Sequence, residues 1–139
     1  MARPIGELVG ESRFPVYYED TDLSGFVYHA NYLKYFERAR EQIIGISFLK
    51  SLWDQGVHFV VSECQLKYRF PAKHGDEIIV RTQVSYSQSP ALYCQQIAYV
   101  NTGKQEQTVV EGQITLVTLN AKHKPIRLPE SVIQAFQAH

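Results

Sequence analysis

A change of apolar period constrains this chain more than any other feature. From Asn31 to about Leu52, the residues Leu33, Phe36, Ala39, Ile43, Ile44, Phe48 and Leu52 recur mostly at steps of three and four. That is the spacing of a helix buried along one side. No proline falls between Pro15 and Pro71, so nothing stops one long helix across that window, although Gly45 weakens its middle. After Gly56 the period becomes two. Val60, Cys64, Leu66, Tyr68 and Phe70 take one face while Glu63, Gln65, Lys67 and Arg69 take the other, the pattern of a half-buried strand.

Further strands follow. Ile78, Val80, Thr82, Val84 and Tyr86 alternate with polar residues after the turn His74-Gly75-Asp76, and a third run spans about Leu92 to Val100. Past the turn Asn101-Thr102-Gly103-Lys104, the apolar residues Val109, Val110, Ile114, Leu116, Val117 and Leu119 occupy both parities. Such a strand is expected to be covered on both faces, with contact between subunits as one cover. Phe14 to Tyr18 supplies a strand ahead of the helix, and Pro129 with Val132, Ile133 and Phe136 a short closing helix. The expected order is β-α-β-β-β-β, an α+β domain in which the helix covers one face of an antiparallel five-stranded sheet. Trp53, Phe59 and Tyr68 could line a pocket or fill the core, and the core is the expected place.

The 139 residues contain no repeat and no linker-like stretch, so residues 1–139 form a single domain. Fourteen Lys plus Arg balance fourteen Asp plus Glu. Nucleic-acid binding normally needs a basic excess, which is missing. The start shows no secretory h-region and no apolar run is long enough to span a membrane, so a soluble, cytoplasmic protein is expected. Cys64 and Cys94 fall in strands and are expected to be reduced and buried. The five histidines lack zinc-site spacing, so neither a metal nor a cofactor is implied.

The densest polar and aromatic stretch, Tyr17 to Arg40, sits where the first strand gives way to the helix. Junction loops of this kind often carry function. Asp20-x-Asp22-x-Ser24-Gly25 matches the first half of a calcium-binding EF-hand loop, but the twelfth position is Asn31 where a bidentate Glu is required. Asp20, Asp22 and Ser24 are also ordinary turn residues. A third reading is catalytic: the N–H groups at the start of a helix can polarise a carbonyl, and a carboxylate beside them supplies the second part of an acyl-transfer site. Residue types alone leave the turn and catalytic readings open.

The run Tyr18-Glu19-Asp20-Thr21-Asp22-Leu23-Ser24-Gly25-Phe26-Val27-Tyr28-His29-Ala30-Asn31-Tyr32-Leu33, followed by Phe36-Glu37-Arg38-Ala39-Arg40, closely resembles the 4-hydroxybenzoyl-CoA thioesterase family. It is most similar to the branch associated with the bacterial Tol-Pal system. Tyr68 to Lys73, Gly75-Asp76 and Leu128-Pro129 extend the resemblance over nearly the whole chain. The resemblance implies a hot-dog fold, in which a curved antiparallel sheet wraps one central helix. It implies hydrolysis of an acyl-CoA to a carboxylic acid and free coenzyme A. It places the catalytic carboxylate on Asp22 and the carbonyl-polarising backbone N–H on His29, with Tyr18 and the His29 ring as supporting groups. Asp20 is read as a turn-former.

The basic cluster that the hydroxybenzoyl branch carries near Ser85 to Pro90 is absent here, where the chain reads Ser-Tyr-Ser-Gln-Ser-Pro. Lys122, His123, Lys124 and Arg127 form another basic group, expected to be a solvated surface. The resemblance also implies a homodimer or homotetramer, because such sites form between subunits. Two alternatives belong to other classes. A hydratase on this fold would use a different His and acid pair, and a non-catalytic adaptor would bind acyl-CoA, an acyl carrier protein or a Tol-Pal-linked partner.

Overall fold

A computed structural model describes residues 3–139. Five antiparallel strands, β1 (Gly6–Pro15), β2 (His58–Tyr68), β3 (Glu77–Tyr86), β4 (Ala91–Asn101) and β5 (Glu106–Leu119), form one sheet in the order β1-β3-β4-β5-β2. Helix α1 (Asn31–Ile44) lies in its hollow, α2 (Ile46–Asp54) continues from α1 at an angle, and α3 (Glu130–Gln137) closes the far end. Among the described residues, no helix is long and apolar enough to cross a membrane.

The inward face of α1 carries Tyr32, Tyr35, Phe36, Ala39 and Ile43, all buried against Ile78, Val80, Val84, Ala98, Val110 and Ile114 of the sheet. Two glycines let the helix approach closely. A Cβ on Gly10 of β1 would sit 2.7 Å from Ile43 Cγ1, and one on Gly112 of β5 would sit 2.6 Å from Phe36 Cε2. Phe14 of β1 stacks on Tyr35 with ring centroids 5.6 Å apart. On α3, Phe136 packs edge-on against both Tyr86 and Phe48.

Several expectations are corrected. The single helix from Asn31 to Leu52 is two helices, because Gly45 takes φ = 101°, a left-handed value that no helix accommodates. The first strand runs from Gly6 to Pro15, not from Phe14 to Tyr18. Its inward positions Gly10 and Ser12 are small or polar, so its apolar alternation is too sparse to read. Tyr18 instead opens a single 3₁₀ turn, Tyr18–Asp20.

Strand β2 is mostly exposed rather than half-buried, since it forms an outer edge of the sheet and is irregular between Val61 and Glu63. Cys64 on it is exposed, and only Cys94 is buried. Strand β5 is not covered on both faces: Gly112, Ile114 and Leu116 point inward while Gln113 is exposed. The double parity at Val109 and Val110 coincides with an irregular register between β4 and β5 at Ala98/Tyr99. Trp53 and Tyr68 are exposed rather than core residues, and Phe59 is half-buried at the core margin.

Candidate active site

The loop between β1 and α1 is held by its own polar residues. Asp20 accepts the Tyr17 N–H on Oδ2 at 2.8 Å and the Asn31 side-chain amide on Oδ1 at 3.1 Å, tying the 3₁₀ turn to the start of α1. Its backbone carbonyl accepts the Tyr28 N–H at 2.9 Å. Asp20 is thus a turn-former, as expected. Gly25, at φ = 85°, closes the tight turn after Asp22, and its N–H donates to the Asp22 carbonyl at 3.0 Å. The Asp22 N–H donates to the Phe26 carbonyl, and Val27 bonds the Ala72 carbonyl at 2.8 Å, which docks this loop onto the β2–β3 connection.

This scaffold leaves Asp22 exposed. Its Oδ1 accepts both the backbone N–H of Ser24, at 2.8 Å, and the Ser24 hydroxyl. The two bonds favour the charged form, the hydroxyl most, and the nearby His29 adds to them; the Asp22 carboxyl therefore sits below its ordinary value. Oδ2 makes no hydrogen bond among the described residues.

At the start of α1 the Asn31 N–H donates to the Tyr28 carbonyl at 2.8 Å and the Leu33 N–H to the Ala30 carbonyl at 3.2 Å, but not every donor is used. The N-cap is Ala30, whose side chain accepts nothing, and the first turn holds no acidic residue. The His29 N–H makes no hydrogen bond among the described residues. Free N–H groups at a helix N-terminus, at the positive end of its dipole, favour developing negative charge. Tyr68 fixes this corner by donating its phenol to the His29 carbonyl at 2.8 Å. The His29 ring packs on Tyr28, with centroids 4.5 Å apart, and meets Tyr68 edge-on.

Asp22, His29, Ser24, Tyr32 and Tyr68 line one cavity of about 380 Å³. Tyr32 is buried enough to raise its phenol to about 12, so it remains a neutral group there. Asp22 and His29 are therefore brought together, whereas Tyr18 points elsewhere, its ring edge-on to His74 at 5.9 Å. Tyr68, which on sequence grounds could line a pocket or fill the core, lines this cavity. The only available signal was an aromatic at the end of an alternating strand, which reads equally well as core.

A second cavity, about 670 Å³, opens between α1, α2 and β2, floored by Ile44, Leu49, Leu52, Phe59 and Leu116. The two cavities lie on the same α1–β2 seam, Tyr32 and Tyr68 at one end, Ile44 and His58 at the other. The basic group Lys122 to Arg127 follows β5, whose last residue pairs with His58, so it sits at the end of β2 away from Tyr68. Within it, Asn120 Oδ1 accepts the Lys122 and Lys124 N–H groups, and His123 adopts φ = 60°. Among the described residues, no group of three or more His, Cys, Asp or Glu is placed to hold a metal ion.

Residues 16–136 match the family model of the thioesterase-like superfamily. The chain is 38% identical over 128 residues to the acyl-CoA thioesterase YbgC of Haemophilus influenzae, spanning 88% of this chain and 92% of that protein. The crystal structure of a probable thioesterase from Bartonella henselae superposes with a TM-score of 0.74 at 29% identity, covering 87% of this chain and 99% of that one. A 4-hydroxybenzoyl-CoA thioesterase structure superposes with a TM-score of 0.82 at 15% identity over 91% of this chain and 96% of that one, a likeness of fold. The chain is a hot-dog protein and belongs to the thioesterase-like superfamily of thioester hydrolases.

Proposed function

We propose that this thioesterase hydrolyses acyl-CoA at the Asp22–His29 corner. The observation that carries the reading is the pairing of an exposed, ionised carboxylate with an unsatisfied helix-start N–H in one cavity. The acyl-CoA activity in the printed name of the Haemophilus relative supports the choice of thioester.

In the reaction, the thioester oxygen takes the His29 N–H, and Asp22 Oδ2 removes a proton from a water that adds to the carbonyl carbon. The oxyanion collapses, the C–S bond breaks, and coenzyme A leaves as a thiolate that takes up the proton. One molecule of water and one of acyl-CoA give one carboxylic acid and one free thiol. A single well-placed oxyanion donor contributes about 2.7–4 kcal/mol to such a step. Water has direct access to the exposed carboxylate, which favours the general-base route over direct attack by Asp22.

The working unit is a homo-oligomer. Lys34, Glu37, Arg38 and Glu41 form a charged stripe along α1 beside the exposed edge strand β2, and none of the four makes an ion pair among the described residues. Laid antiparallel on a second copy, the stripe is self-complementary: Lys34 meets the partner's Glu41 and Glu37 meets the partner's Arg38. An edge strand with free backbone groups also suits pairing with its own copy. Cytoplasmic residence follows as the compartment where acyl-CoA is abundant.

The test is thiol release from a panel of short, long and aromatic acyl-CoAs. Release that Asp22→Asn abolishes supports the reading. A folded protein that binds acyl-CoA or an acyl carrier protein without cleaving any thioester would instead be an adaptor. Single-turnover hydrolysis in ¹⁸O-water addresses the route: the general-base route labels only the released acid, so label in the Asp22 carboxylate means that Asp22 attacked and that water opened the anhydride at the aspartyl carbon.

A further inference from the structure

Asp20 takes no part in the chemistry above, yet three separate pieces of the chain end on it. Its Oδ2 holds the Tyr17 N–H at 2.8 Å, at the head of the 3₁₀ turn. Its Oδ1 holds the side-chain amide of Asn31, the first residue of α1, at 3.1 Å. Its backbone carbonyl holds the Tyr28 N–H at 2.9 Å. This last bond belongs to a short ribbon, in which Thr21 bridges antiparallel to Val27 and the Asp22 N–H donates to the Phe26 carbonyl at 2.9 Å. Asp22 is near the tip of the ribbon and Asp20 at its base. His29 leaves that base directly, following Tyr28 and standing two residues ahead of Asn31, so Asp20 grips the chain on both sides of it. The Asn31 N–H closes the segment by donating to the Tyr28 carbonyl at 2.8 Å.

A helix start is ordinarily anchored by a side chain at the N-cap, which occupies a backbone N–H of the first turn. Ala30 has no such group, and its helical backbone, φ −76° and ψ −14°, is not the extended one from which caps act. Asp20 anchors the start of α1 from the side, through the Asn31 amide group and not through a backbone N–H. Asn31 is buried and Asp20 half-buried. The Tyr35 hydroxyl is shut off from water, and its phenol is pushed up by burial and then by the Asp20 charge, so Asp20 reaches toward the core and not only toward solvent. Bonds made in such surroundings are strengthened by the low local dielectric. Asp20 does not line the cavity shared by Asp22 and His29, and the Asp22 carboxyl is lowered by Ser24 and then by His29, without a contribution from Asp20.

We propose that Asp20 is the positioning residue of this site, setting the direction of the His29 N–H relative to the Asp22 carboxylate by gripping the chain on both sides of His29. The inference rests on the reading of His29 as the N–H donor to the thioester oxygen. Loss of Asp20 then misaligns the donor and leaves the base as it was. Misplacement by about 1 Å at a reacting centre costs about 10² in rate.

The expected result for Asp20→Ala is a kcat lower by about 10², with KM within about twofold of wild type and the acid limb of kcat/KM unmoved. Asp20→Asn keeps one acceptor oxygen, hence one of the two side-chain ties, and loses less. Asn31→Ala lowers kcat in the same way, and adding it to Asp20→Ala costs nothing further. Infrared spectroscopy of a bound ketone analogue of the acyl-CoA, with CH₂ in place of the sulfur and ¹³C at the carbonyl, reads the polarisation itself. Its stretch lies lower on the wild-type protein than in water and returns toward the water value on Asp20→Ala. An unchanged kcat in folded Asp20→Ala overturns the proposal. So does a lowered kcat with the carbonyl stretch still at its wild-type position, because Asp20 then acts on the fold alone. A stretch that is not lowered even on the wild-type protein refutes the His29 reading and the proposal with it. Should Asp20→Ala fail to fold, Asn31→Ala is judged by the same two measurements.

Discussion

The phenol of Tyr68, at the end of β2, donates to the backbone carbonyl of His29 at 2.8 Å and so ties the sheet edge to the residue just ahead of the N-cap of α1. Tyr68→Phe keeps the ring and removes this bond. A loss of about 0.5–1.5 kcal/mol in stability is expected by chemical denaturation. Turnover falls several-fold, in kcat more than in KM, because the amide is less firmly aimed rather than absent.

Asp22→Asn is expected to leave the fold intact and lower kcat by about 10²–10⁴, the usual range for a lost acid-base group. Steady-state kinetics on an accepted acyl-CoA, with circular dichroism as the folding control, checks it. A loss below tenfold in the folded variant moves the chemistry to another carboxylate, with Glu63 the next to examine.

The Ser24 hydroxyl and N–H hold Asp22 below 3.8, its ordinary value. A depressed folded-state pKa means that the charged form is preferred in the native protein, an advantage present above the ordinary value and lost as pH falls through the depressed one. The limb of kcat/KM that reports Asp22 therefore lies on the acid side of 3.8, with no contribution from this group near neutrality. Ser24→Ala removes the hydroxyl bond and shifts the limb upward. A pH–rate profile of the two proteins reads the difference directly.

His29→Ala preserves the backbone N–H and the helix dipole. If these are the carbonyl-polarising groups, kcat falls by less than about tenfold, or about 1.4 kcal/mol. A loss of 10² or more at unchanged helix content assigns the work to the imidazole.

Light scattering at micromolar concentration is expected to show an oligomer of the 16.0 kDa chain. Glu41→Lys sets like charges against the partner's Lys34 and weakens assembly, and Lys34→Glu in the same chain restores it. Raising the salt concentration blunts both effects, since these are exposed charges. A fully active monomer would refute the shared assembly.

Much of this architecture was legible because periodicity reports burial. The α1 stripe and the alternation of β3 both follow the side on which they pack, and Phe136 marked the closing helix. What was hidden had a physical cause in each case. β1 escaped notice because Gly10 and Ser12 replace apolar residues where α1 presses close, so packing demands erased the alternation. β2 alternates like a half-buried strand although it is an exposed edge of the sheet, because alternation records which residues share a face and not what lies over that face. The loop residues Asp22 and His29 were read through resemblance, since neither periodicity nor spacing distinguishes a catalytic aspartate from a turn aspartate.

The left-handed glycine between the two helices separates responsibilities. His29 precedes α1, whereas Leu49, Leu52 and Trp53, which border the larger cavity, ride on α2 beyond Gly45. The Gly45 N–H donates back to the Glu41 carbonyl at 2.8 Å while the Gly45 carbonyl accepts the Leu49 N–H at 3.0 Å, so one residue ends the first helix and begins the second. A substitution on α2 is therefore expected to reach the Asp22–His29 corner less directly than one on α1.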